Sequence, residues 1–91
     1  MKSIDIVIAT FNGEKYIKEQ LLSIINSNNF DKYIEKIVIS DDNSTDDTLE
    51  IIKSLDCDKI YLIENDFNSG VVSNFSHALK LTSSDYVIFC D

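Results

Sequence analysis

Phe11, Asp41, Asp42 and Asp91 are the side chains of this sequence best placed to meet a ligand. Each stands where a run of apolar and β-branched residues stops. Ile4-Asp5-Ile6-Val7-Ile8-Ala9 runs into Thr10-Phe11-Asn12-Gly13, Ile37-Val38-Ile39-Ser40 into Asp41-Asp42-Asn43-Ser44, and Tyr86-Val87-Ile88-Phe89-Cys90 into Asp91. An ionised carboxylate only accepts hydrogen bonds, so an acid at such a tip suits a ribose hydroxyl or a base N–H. A phenyl ring can cover the flat face of a base, and a carboxylate oxygen is a hard ligand suited to a divalent cation. Each feature also has a plainer reading. The acids of 41–47 serve equally as a turn and an acidic helix start, Phe11 as a plug in the core, and Asp91 as a solvated acid.

Other chemistries lack their residues. No G-x-G-x-x-G follows the first apolar run and no G-x-x-x-x-G-K-[ST] occurs, so neither the dinucleotide fingerprint nor a P-loop is present. Cys57 and Cys90 have no C-x-x-C spacing and no paired histidine, which reads as two reduced thiols, Cys90 in a buried strand, rather than a zinc site. His77 has no Cys or His partner near it and reads as a structural or surface residue. No Ser/His/Asp or Cys/His arrangement is legible.

The elements that must position the tips follow from periodicity. Ile4–Ala9, Glu35–Ser40, Lys59–Glu64 and Asp85–Cys90 are short apolar runs of the kind found in strands buried on both faces. Between them the period changes. Ile17, Leu21, Ile24 and Ile25 predict a helix from Glu14 to about Asn26. A second, capped by Ser44 or Thr45 with Asp46 and Asp47 in its first turn, turns Leu49, Ile52 and Leu55 inward. A third, from Gly70 to about Thr82, turns Val72, Phe75, Ala78 and Leu79 inward. The order βαβαβαβ predicts an α/β fold, a four-stranded parallel sheet with right-handed crossovers. Strands one to three step outward and strand four returns beside strand one, giving the order 3-2-1-4, helices on both faces and a crevice between strands one and four. The flank of strand four is then exposed, and self-association through it is expected.

With 91 residues, no linker and no repeat, residues 1–91 read as a single domain. Its 8 basic residues, all Lys, face 16 acids, for a net charge of −8. That excludes a general nucleic-acid binder, which needs a basic patch against the phosphates. An anionic ligand would instead need a bridging cation. No apolar run approaches the roughly 18–20 residues of a membrane span, and no signal-peptide pattern opens the chain. A cytoplasmic location is the expectation.

Taken together, the tips resemble a known family. Ile6-Val7-Ile8-Ala9-Thr10-Phe11-Asn12-Gly13 is similar to the opening V-I-P-T-Y-N segment of family 2 glycosyltransferases, which have the GT-A fold. Ile37-Val38-Ile39-Ser40-Asp41-Asp42-Asn43-Ser44-Thr45-Asp46 resembles their V-D-D-G-S-x-D segment, and Asn68-Ser69-Gly70-Val71 their N-x-G turn. Ser84 to Asp91 resembles the approach to their D-x-D metal motif. The four matches fall in order across the chain, closest in flavour to the bacterial rhamnosyltransferase and surface-polysaccharide branch.

The resemblance implies that Ala9, Thr10 and Phe11 line a uracil or thymine pocket, with Phe11 as the stacking aromatic. It implies that Asp42 accepts a hydrogen bond from the base while Asp41 shapes the turn. Asp91 would be the first D-x-D acid, at the ribose and a Mn²⁺ or Mg²⁺ ion. Ala9 stands for the common Pro, Phe11 for Tyr, and Asn43 for a Gly whose left-handed conformation Asn tolerates. Ser73-Asn74-Phe75-Ser76 lacks the Arg that many members carry there. The implied parent is a cytoplasmic glycosyltransferase, or one at the inner face of a membrane. It takes a UDP- or dTDP-linked sugar to a saccharide or lipid-linked acceptor in cell-surface polysaccharide synthesis. The acceptor-binding half, the second D-x-D acid and the catalytic base would lie beyond residue 91, so no catalytic residue is expected within this chain. A non-catalytic nucleotide-binding or interaction module is the alternative. A receiver-like domain fits less well, because receivers carry the acidic pair after strand one.

Overall fold

The computed structural model of the protein describes residues 3–28, 30–65, 76, 78–84 and 86–90. Its elements are β1 (Ile4–Thr10), α1 (Ile17–Ile25), α2 (Phe30–Tyr33), β2 (Ile34–Asp41), α3 (Thr48–Ser54), β3 (Ile60–Glu64) and β4 (Tyr86–Cys90). The strands form one sheet in the order β3-β2-β1-β4, every pair parallel. This is the expected topology. All strands therefore end at the same edge, and the chain crosses from one side of β1 to the other between β3 and β4.

Register explains why the apolar runs are nearly continuous. Ile6 lies beside Ile37, and Ile8 beside Ile39, which lies beside Leu62. Alternation puts these side chains on one face. There Ile17 and Leu21 of α1, Phe30 of α2 and Ile52 of α3 close over them. The opposite face carries Val7 and Val38, covered by Ala78 and flanked by Ile63 and Val87. Burying each aliphatic side chain contributes about 1.5–3 kcal/mol.

The boundaries depart from expectation where polar groups are spent on the fold. Before α1, residues 14–16 form a turn in which the Tyr16 and Ile17 N–H groups both donate to the Gly13 carbonyl. Short α2 was not expected; Lys59 holds it from β3's side, its Nζ donating to the Phe30 and Ile34 carbonyls while lying 4.6 Å from the Phe30 ring centroid. Ser44 and Thr45 do not cap α3: the helix starts at Thr48, with Asp47 in the cap position. Ile51 and Leu55, with buried Ile52, pack on the core, whereas Leu49 is half-buried and outside that cluster. Ala78 is buried as expected, but Leu79 is 40% exposed. Most of the helix expected from Gly70, including Val72 and Phe75, lies outside the described residues, as do the Asn68-Ser69-Gly70 turn and His77.

Candidate functional site

The carboxyl edge of the sheet is built from the loop after β1 and the loop after β2. Their roots are register partners, Thr10 and Asp41. Asp41 is fully buried. Its Oδ1 accepts from the Thr10 hydroxyl at 2.6 Å and from the Ser44 hydroxyl at 2.6 Å, and its Oδ2 accepts from the Ser44 N–H at 2.8 Å. A carboxylate taken from water needs such donors to offset its lost hydration. Its main-chain carbonyl accepts from the N–H and side-chain amide of Asn65, both at 3.0 Å, which brings the end of β3 into the same cluster.

Two relays run from the first loop into the second. The Asn12 N–H donates to Ser44 Oγ at 2.9 Å, and Ser44 Oγ donates on to Asp41. The Gly13 N–H donates to Thr48 Oγ1 at 2.8 Å, and Thr48 Oγ1 donates on to Asp46. Asn12 Oδ1 answers in the reverse direction, accepting the Thr45 N–H at 2.8 Å. Asp46 also accepts the N–H groups of Thr48 and Glu14. Burial pushes the Asp46 carboxyl up, but the donors from Thr48 and Glu14 outweigh it and hold it below the ordinary carboxylate value. The hydroxyls that resembled a helix cap are thus spent between loops.

The expected site residues fall at different depths on this frame. Phe11 is 49% exposed, so it is not a core plug. Asp42 is only 6% exposed, its N–H donated to the Thr10 carbonyl at 2.9 Å. Thr10 is buried with its hydroxyl turned inward to Asp41, and Ala9 is half-buried at the end of β1. Asp91 lies outside the described residues. Asn43 has φ 63°, the left-handed conformation expected where the resemblance puts Gly, and Asn12 has φ 52°. Gly13 lies under the exposed Tyr16 side chain: a Cβ there would stand 2.9 Å from the end of the ring, which would have to swing aside.

Sequence reasoning missed the depth of Asp41 and the pairing of Asn12 with Ser44 and Thr45. The available signal was the density of Ser, Thr and Asp at 41–48 opposite an Asn-Gly pair, more than one helix cap can use. A described cavity of about 270 Å³, lined by Ile52, Cys57, Ile60 and Leu62 among others, holds none of the expected site residues.

The model of the family described as "Glycosyl transferase family 2" matches residues 5–91. The chain belongs to that family. Among family 2 relatives, the GalNAc(5)-diNAcBac-PP-undecaprenol beta-1,3-glucosyltransferase of Campylobacter jejuni is 31% identical over all of this chain and 29% of its own length. The dTDP-rhamnosyl transferase RfbG of Shigella flexneri is 39% identical over 92% of this chain and 30% of its own. Among solved structures, residues 1–349 of Staphylococcus aureus TarS in complex with UDP-GlcNAc superpose with a TM-score of 0.89 at 30% identity, over 98% of this chain and 26% of that one. The chain thus spans less than a third of the length of each of these relatives. Its sheet is that of the GT-A glycosyltransferases.

Proposed function

We propose that this chain is the donor-nucleotide-binding part of a glycosyltransferase. The enzyme would move a sugar from UDP or dTDP to a saccharide or lipid-linked acceptor in cell-surface polysaccharide synthesis. One observation carries the reading: half-exposed Phe11 and nearly buried Asp42 stand on two loops laced together at the carboxyl edge of the sheet. A ring at one tip covers the base face, a carboxylate at the next accepts the base N–H, and the edge is where open α/β sheets take their ligands. Family membership supports the reaction class, and the TarS complex with UDP-GlcNAc supports the nucleotide.

In this reading Ala9 and Thr10 line the pocket at its root. Asp91 belongs to the ribose and to a Mn²⁺ or Mg²⁺ ion, an assignment that rests on the sequence alone. Among the described residues no group of three or more His, Cys, Asp or Glu side chains could hold a metal, so no step is derived through one. The net charge of −8 leaves the diphosphate poorly matched without a cation, so binding by this chain is weak. No catalytic residue is assigned within it. No helix among the described residues is long and apolar enough to cross a membrane. A cytoplasmic place, at the inner face of a membrane for the parent, completes the proposal. Tyr86 and Ile88, exposed on edge strand β4, support self-association of the chain.

Calorimetric titration with UDP tests the nucleotide assignment. Asp42→Asn removes a charged acceptor and is expected to weaken binding by about 1.5–3 kcal/mol. Equal binding by the variant, or no binding at millimolar UDP, would overturn it.

A further inference from the structure

Phe11 and Asp42 occupy equivalent places in their loops. Phe11 lies between Thr10 and Asn12; Thr10 donates directly to Asp41, and Asn12 reaches it through the Ser44 hydroxyl. Asp42 lies between Asp41 itself and Ser44, whose N–H and hydroxyl both donate to the same carboxylate. One buried side chain therefore pins both ends of both short segments. Each segment also holds a left-handed Asn directly after its contact residue, Asn12 with φ 52° and Asn43 with φ 63°. That conformation costs an L-residue energy and persists only where its surroundings hold it.

From this arrangement we infer that Asp41 is a positioning residue for nucleotide binding. It never touches the ligand. It sets the spacing and aim of Phe11 and Asp42 through Thr10 and Ser44, so the pocket forms before the nucleotide arrives. This rests on the donor-nucleotide reading and adds to it where the specificity of the pocket is stored. A preformed site binds without first ordering its loops, and loosening the pin returns that cost to the binding step.

Asp5 supplies the control. It is also a fully buried carboxylate, accepting from the Ser83 and Ser84 N–H groups and the Ser84 hydroxyl, but it stands near the start of β1, away from the strand tips. The experiment measures UDP affinity and thermal stability for the wild-type chain, Asp41→Asn, Asp5→Asn, Asp42→Asn and the Asp41→Asn/Asp42→Asn double variant. Asp41→Asn is expected to weaken UDP tenfold or more while remaining folded, and Asp5→Asn to lower stability with affinity changed less than twofold. In the Asp42→Asn background the Asp41 effect should shrink, because part of what it positions is gone. If Asp41→Asn does not fold, Thr10→Val and Ser44→Ala each remove one donor and are expected to weaken UDP in the same direction.

The inference is overturned if Asp41→Asn, or both milder variants, bind as the wild type does. It is also overturned if Asp41→Asn and Asp5→Asn weaken UDP alike, or if the two single effects multiply fully in the double variant. A wild-type chain that binds no UDP would remove the donor-nucleotide reading itself. A wild type weakened by Asp42→Asn but not by the Asp41 set would leave that reading standing and remove only the inference.

Discussion

The hydroxyl of Thr10, the last residue of β1, donates to the buried carboxylate of Asp41, the last residue of β2, across 2.6 Å. The two are also register partners, so the bond ties the sheet together where its hydrogen-bond ladder gives way to loops. Thr10→Val keeps the shape and removes the donor, leaving a buried carboxylate one partner short. It is expected to lower stability by about 1–3 kcal/mol. Urea unfolding of the two proteins checks it, and an unchanged midpoint would contradict it.

Two asparagines with similar backbone angles are expected to respond oppositely to glycine. Asn43, at φ 63°, is exposed, so Asn43→Gly relieves the left-handed penalty and leaves stability unchanged or slightly raised. Asn12, at φ 52°, accepts the Thr45 N–H through its side chain, so Asn12→Gly costs about 0.5–1.5 kcal/mol despite the relaxed backbone. Asn43→Val is expected to cost about 1–2 kcal/mol. Thermal melts of the three variants test the ordering; a stabilised Asn12→Gly would contradict it.

Asp5 gives the fold a defined acid sensitivity. Burial pushes its carboxyl up, but the Ser84 hydroxyl, the Ser83 and Ser84 N–H groups and the nearby Lys36 charge outweigh this and hold it below the ordinary 3.8. A carboxyl lowered by folding contributes stability that is fully present above its unfolded value and lost as pH falls through its folded value. Asp5→Asn is therefore expected to cost about 1.5–3 kcal/mol at neutral pH. The gap to the wild type should close as pH drops below about 4. Urea midpoints from pH 7 to pH 3 check this, and a constant gap would contradict it.

What the sequence could reveal depended on the range of the interaction. Strand order followed from local signals, because Ile6-Val7-Ile8 and Ile37-Val38-Ile39 read as buried strands and crossovers have a fixed hand. Asn43 was legible as a left-handed position because it stands in for a glycine. Asp5, in contrast, sits within an apolar run that gives no sign of its role, since its partners at Ser83 and Ser84 lie at the far end of the chain. Ser44 looked like a helix cap because its partner Asn12 sits on another loop. Leu79 fitted a helical stripe, yet it is 40% exposed while its neighbour Ala78 is the residue that is buried. Phe11 and Asp42 were legible as site candidates by type and place, whereas the support from Asp41 needed the sheet register.

Edge strand β4 carries Tyr86 at 54% and Ile88 at 46% exposure. Exposed apolar residues on an open strand edge favour pairing between copies, and lysine on such an edge opposes it. Light scattering should show concentration-dependent association of the wild-type chain and a monomer for Ile88→Lys. A monodisperse wild-type monomer at high concentration would contradict this.

The central claim is that Phe11 and Asp42 together hold the base of a nucleoside diphosphate. Stacking on an aromatic of this kind contributes about 1–3 kcal/mol. The most direct measurement is a titration of the ¹⁵N-labelled chain with UDP, followed by amide chemical shifts, with Mn²⁺ avoided and Mg²⁺ added only at the end. The account predicts weak, saturable shifts centred on Thr10, Phe11 and Asp42, little further change with Mg²⁺, and their loss in Asp42→Asn. Shifts centred elsewhere, or an Asp42→Asn chain that titrates as the wild type does, would contradict it.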